Sequence, residues 1–165
     1  MNSESILNGQ RVLVVDDEPD ILHTISELLH MCKVHTAGDY DSALKILLNE
    51  TFNIVILDIM GVNGFELLEK SVLRGFDTII LTAHAVTAES LKKSIKLGAA
   101  AFLPKDYIND LEEVVEDILL GHDKHLWWSK NLGRESRYFD DKLGQDWKEK
   151  DVFFKNFEKS LQNKK

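Results

Sequence analysis

Three observations predict an α/β fold in which a parallel sheet is covered by helices on both faces. Val12 to Val15 and Ile54 to Leu57, the latter led in by Phe52, are apolar runs without polar alternation. That is the pattern of strands buried on both faces. Both runs end on acids, at Asp16, Asp17 and Glu18 after the first and at Asp58 after the second. Five strand candidates also alternate with five segments of helical spacing, which implies parallel pairing through right-handed crossovers.

The elements follow in order. Residues 1–10 read as a flexible leader, and Arg11 to Val15 as the first strand. Pro19 suits the first turn of a helix and Asp20 its positive end. Ile21, Leu22, Ile25, Leu28 and Leu29 then recur on one face to about His30. Val34 to Ala37 is a short strand. Asp39 or Asp41 caps a helix whose apolar face is Ala43, Leu44, Leu47 and Leu48. After the third strand and Asp58 comes a loop punctuated by Gly61 and Gly64, then a helix bearing Phe65, Leu67, Leu68 and Val72. Thr78 to Leu81 is the fourth strand, ending in Thr82. A fourth helix lined by Val86, Leu91, Ile95 and Leu97 stops at Gly98. Ala100 to Leu103 is the fifth strand, ending in Pro104 and Lys105. A last helix, capped by Asn109 or Asp110, buries Leu111, Val114, Val115, Ile118 and Leu119 and ends at Gly121.

The 165 residues, 44% apolar, hold one domain with a real core plus an appendage. No apolar run reaches eighteen residues, and the opening decapeptide lacks the basic flank and apolar run of a signal peptide, so a cytoplasmic protein without a membrane partner is expected. Cys32 is the single cysteine and reads as a small core residue. Residues 1–121 carry 9 basic against 20 acidic residues, a net −11, while residues 122–165 carry 11 against 8, a net +3. Neither part suits nucleic acid.

If the strands are all parallel, Asp16, Asp17, Asp58, Thr82 and Lys105 leave the sheet at one edge, where open α/β sheets bind ligands. Three carboxylates in one cleft favour a hard divalent cation such as Mg²⁺. The hydroxyl of Thr82 and the ammonium of Lys105 supply a donor and a positive charge for an anionic group, of which phosphoryl fits best. The bland alternatives are helix-start acids for Asp16 to Glu18, a strand-end cap for Thr82 and a solvated charge for Lys105. Each is reasonable alone and weak for the set. The six histidines show no spacing backed by further ligands.

In the motifs VVDDEPD, ILDIM, ILTAH and FLPK, residues 11 to about 120 resemble the response-regulator receiver domain of two-component signalling, here as a stand-alone, chemotaxis-regulator-like unit over 11–121. The resemblance implies a five-stranded, flavodoxin-like doubly wound sheet in the order 2-1-3-4-5. It implies a signalling module rather than an enzyme. Asp58 would accept a phosphoryl group from a phosphohistidine on a sensor histidine kinase or histidine phosphotransfer protein. Mg²⁺ would be held by Asp16, Asp17, Asp58 and the backbone carbonyl of Met60. Thr82 and Lys105 would bind the phosphoryl group, and Phe102 would hold the place of the aromatic that swings inward when that group arrives. The sequence departs from the family in two places: Gly64 follows Asp58 by six residues with no proline in the loop, and Asp106 rather than proline follows Lys105. A haloacid-dehalogenase-like phosphatase would need a second Asp where Met60 stands. A flavodoxin would not put Asp16 to Glu18 in a phosphate loop. A phosphate-independent interaction module is the remaining alternative.

Residues 122–165 are too few for most output domains, yet they hold all three tryptophans and 8 of the chain's 14 aromatics. Such a segment buries its rings somewhere. Asp146 is expected to cap a helix with Trp147, Phe154, Phe157 and Leu161 on one face, with Gly133 and Gly144 bracketing a loop. This helical extension is expected to dock on the face formed by helix four, strand five and helix five, in the same chain or in a second copy as a homodimer.

Overall fold

The computed structural model describes residues 5–121, 125–132 and 138–162. Five parallel strands form one sheet in the order β2-β1-β3-β4-β5: β1 Arg11–Val15, β2 Lys33–Ala37, β3 Ile54–Leu57, β4 Asp77–Thr82 and β5 Ala101–Pro104. Every residue of β3 is buried, as are Val12 to Val15, which explains why these stretches carry no polar alternation. The connecting helices are α1 Pro19–Leu28, α2 Tyr40–Asn49, α3 Gly64–Leu73, α4 Ala88–Lys96 and α5 Leu111–Leu120.

Local chemistry sets the boundaries. Pro19 stands at the start of α1. Of the two acids considered before α2, Asp39 is the cap, its carboxylate accepting from the Ser42 N–H at 2.8 Å. Thr87 caps α4 in the same way through Ser90 N–H.

Several expectations need correction. Leu7 is 1% exposed and Gly9 N–H donates to Met31 C=O at 2.9 Å, so the chain is anchored from Leu7 onward rather than free to residue 10. On α2, Leu48 faces solvent, and Ile46 packs against the core beside Ala43, Leu44 and Leu47. Neither Asn109 nor Asp110 caps α5 by a side chain. A 3₁₀ turn over Lys105–Asp110 leads into that helix, and the Asp110 carboxylate instead accepts from Tyr138 Oη at 3.2 Å. Cys32 is half-buried, and burial pushes its thiol above the ordinary value.

The extension contributes α6 Leu126–Asn131, α7 Asp140–Leu143 and α8 Val152–Gln162. The last helix starts at Val152, with Asp151 accepting from Phe153 N–H at 2.8 Å, and not at Asp146. Trp147 therefore lies in the preceding turn, its indole donating to Asp140 at 2.9 Å, and α7 occupies the stretch expected as a loop. Gly133, named as the other end of that loop, lies outside the described residues. The described residues of this segment pack on their own chain. Trp128 Nε1 donates to Ala99 C=O just before β5, Lys92 of α4 pairs with Asp151 at 3.0 Å, and Lys130 pairs with Asp117 of α5 at 3.1 Å. Phe102 of β5 meets Phe139 edge to face at 5.9 Å between ring centroids.

Candidate functional site

The register of the sheet builds the site. Val15 pairs with Leu57 as β1 and β3 end, so the next residues, Asp16 and Asp58, leave the sheet side by side. Thr82 pairs with Pro104 as β4 and β5 end, which sets Lys105 one residue beyond Thr82. All four gather at the carboxyl edge, where β1 and β3 flank the point at which the chain reverses its winding.

Backbone bonds fix the acids. Asp58 N–H donates to Val15 C=O at 3.0 Å, Asp16 N–H to Ala37 C=O at 3.2 Å, and Glu18 N–H to the Asp16 carboxylate at 2.9 Å. One Asp58 oxygen accepts from Ile59 N–H at 2.7 Å. Asp16 and Asp58 are buried, whereas Asp17 and Glu18 are exposed at the rim. Each of these four carboxylates offers an oxygen within 4.8 Å of the others. Glu18 is the member that the sequence reading left out of the ligand set, although it directly follows the other two acids. This oxygen-only donor set fits a hard divalent cation better than a soft one.

Lys105 balances the cluster. Its ammonium donates to Asp16 at 2.7 Å and to Asp58 at 3.0 Å, and lies 3.5 Å from Glu18. Burial alone would lower the Lys105 pKa, but the bonds to Asp16 and Asp58 and their charges outweigh it and hold the ammonium well above its ordinary value. Asp16 is shifted upward. Its burial is the main cause and outweighs the Lys105 and Glu18 N–H bonds, with the neighbouring Asp58 charge adding to it.

Thr82 is fully buried, and its Oγ1 has no hydrogen-bond partner among the described residues. By contrast, Thr78 on the same strand shares a 2.7 Å bond with Ser71. A buried hydroxyl without a partner costs about 1–3 kcal/mol, a cost that an acceptor placed at the strand ends would relieve.

A family model of the response regulator receiver domain matches residues 12–118. The chain belongs to this family. Among curated receivers, it is 38% identical over 103 residues to the two-component response regulator ARR18 of Arabidopsis thaliana, covering 59% of this chain and 16% of that protein. It is 34% identical over 145 residues to ORR24 of Oryza sativa subsp. indica, covering 83% of this chain and 22% of that protein. The chain thus spans about a fifth of the length of these relatives. Among solved receivers, the CheY-like protein of Methanospirillum hungatei JF-1 is 29% identical, with a TM-score of 0.57, over 66% of this chain and 95% of that one. TrrA of Thermotoga maritima, in complex with Mg²⁺-BeF, is 31% identical, with a TM-score of 0.58, over 67% of this chain and 99% of that one.

The loop that leaves the receiver's Asp58 is shaped by two glycines. Gly61 has φ +85°, and a Cβ there would stand 2.3 Å from the Asp17 carboxylate. A Cβ on Gly64 would stand 1.9 Å from the Asp58 carbonyl oxygen. Only bare backbone lets the short loop fold back over the strand end. Met60 is exposed at its rim, and His84 is exposed two residues past Thr82. Phe102 lies buried beneath Phe139. No described helix is long and apolar enough to cross a membrane.

Proposed function

We propose that this receiver takes a phosphoryl group on Asp58 from a phosphohistidine of a sensor histidine kinase or histidine phosphotransfer protein and signals by a change of conformation rather than by turning over a substrate. The observation that carries this reading is the Lys105 ammonium set between Asp16 and Asp58, with Glu18 close by, at the edge where Thr82 keeps a hydroxyl in reserve.

An Asp58 carboxylate oxygen attacks phosphorus, the phosphorus–nitrogen bond breaks, and the electron pair returns to the donor's imidazole. Asp16, Asp17, Asp58 and the Met60 carbonyl would hold Mg²⁺, with Glu18 at the rim of the same cluster. When bound, the ion offsets negative charge on the transferring group. Lys105, already bonded to Asp58, follows the new oxygens with its ammonium, and Thr82 donates to one of them. On this reading, the protein works in the cytoplasm, where such kinases present their phosphohistidines.

The test is intact mass after exposure to acetyl phosphate and Mg²⁺. Wild type should gain one phosphoryl group and Asp58→Asn none, because the amide keeps the shape but lacks the nucleophilic charge. A wild-type chain that binds Mg²⁺ and gains no mass would make it a phosphate-independent interaction module.

A further inference from the structure

The stretch that carries Lys105 is held from outside by the extension. Phe102 packs edge to face on Phe139, both rings fully buried. Asp106 pairs with Lys142. Tyr107 meets Tyr138 at 4.9 Å between ring centroids, and the Tyr138 hydroxyl donates to Asp110. Four of the nine residues from 102 to 110 are thus gripped by three residues of the extension, with Lys105 lying between Phe102 and Asp106.

The grip is not local. Phe139 packs on Trp147 at 5.9 Å, Trp147 on Phe154 at 4.8 Å and Phe154 on Phe153 at 5.3 Å. Phe153 lies beneath the ammoniums of Lys92 and Lys96 of α4. One line of rings therefore runs from β5 to α4.

We propose that Tyr138, Phe139 and Lys142 form a clamp that holds the Lys105 segment in its present place, so that docking of the extension and occupancy of Asp58 oppose each other. The inference rests on the reading of Asp58 as phosphoacceptor. In this structure, the Lys105 ammonium lies between Asp16 and Asp58. An anionic group added to Asp58 draws that ammonium onto its own oxygens. The buried Thr82 hydroxyl gains a partner only if the end of β4 closes on the same group, and β5 is paired to β4 at Thr82 and Pro104. The backbone from Phe102 to Lys105 thus serves two demands, and moving it toward the site pulls Phe102 away from Phe139. Coupling between two sites is reciprocal, so loosening the clamp must ease occupancy as much as occupancy loosens the clamp.

Beryllofluoride with Mg²⁺ is the probe, applied to the full chain. Its affinity is measured by fluorine NMR, and hydrogen exchange is followed over residues 126–131 and 138–143. Phe139→Leu removes the ring edge and keeps the site apolar; it should raise beryllofluoride affinity about two- to tenfold, the worth of one aromatic pair. Lys142→Ala, at a partly exposed ion pair that leaves the core untouched, should raise it by about twofold. A residue that only stabilised the fold would leave affinity unchanged or lower it when removed, and either result in both variants overturns the clamp. Saturating beryllofluoride should speed exchange in the wild-type extension by a similar factor, and Asp58→Asn should show neither binding nor faster exchange. Binding at Asp58 with unchanged exchange and unchanged affinity in both variants overturns the clamp alone. Absence of binding to wild type overturns the phosphoacceptor reading and the clamp with it.

Discussion

Residues 11–121 hold their core with aliphatic side chains projecting from strands, where Val12 to Val15, Ile54 to Leu57 and Ile79 to Leu81 are all buried. Residues 125–132 and 138–162 are held by rings: Trp127 stacks on Tyr138, Phe153 on Phe157, and edge-to-face contacts link others among them. The aliphatic part closes on itself through its sheet. The aromatic part has short helices, of 6, 4 and 11 residues, that would be marginal alone and rest on the receiver. Such a contrast teaches that the second region borrows its order from the first, so damage should pass from receiver to extension more readily than back.

The largest test of that asymmetry is Ile56→Ala. Ile56 is 1% exposed at the centre of the sheet, and its truncation should cost about 2–5 kcal/mol. Urea transitions by circular dichroism and by tryptophan fluorescence should fall together, since all three tryptophans lie in the extension. If the fluorescence transition stays in place while the sheet melts early, the extension is ordered by itself.

Trp128→Phe approaches the comparison from the other side. It removes the indole bond to Ala99 C=O, leaving a buried carbonyl unpaired at about 1–3 kcal/mol. The transition reported by Trp127 and Trp147 should move to lower urea, with the main transition by circular dichroism nearly unchanged. An equal shift in both would make the two regions one cooperative unit.

Acid gives the smallest effect. The Phe153 N–H bond, and then Lys92, hold Asp151 below its ordinary value. Its contribution to docking is therefore present above the usual carboxylate pKa of about 4 and is lost as pH falls through the depressed folded value. Asp16 runs the other way: its raised pKa favours the protonated folded form, so its contribution is present at low pH and lost as pH rises. Lowering the pH below about 4 should shift tryptophan fluorescence before far-UV circular dichroism, and coincident changes would count against separate regions.

How much of this was legible in the sequence follows the same division. The strands and the meeting of Asp16, Asp58, Thr82 and Lys105 follow from apolar runs ending in polar residues, because parallel strands joined by helices all end at one edge of the sheet; the strand order came only from the resemblance to the receiver domain. Leu7 and the side chain of Asp110 were misjudged because their partners are distant: Leu7 lies in the turn whose Gly9 N–H donates to Met31 C=O, and Asp110, although it precedes α5, accepts from Tyr138. In the extension, composition announced burial, but ring contacts have no fixed sequence period. The sequence offered Asp146 as the helix start, but Asp151 holds that place and Trp147 turns toward Asp140 instead of joining the helix.

The loop after Asp58 carries a consequence for anyone transplanting or diversifying this receiver. Asp17 and the Asp58 carbonyl occupy the space into which a side chain at 61 or 64 would grow. A saturation library of positions 58–64 should thus be almost empty of functional clones at those two sites, even for alanine, while the exposed Met60 accepts many residues and Asn63, held in the left-handed region at φ +54°, accepts mainly Gly and Asp. A grafted loop that keeps every ligand but fills either glycine would carry the right letters in a space already taken.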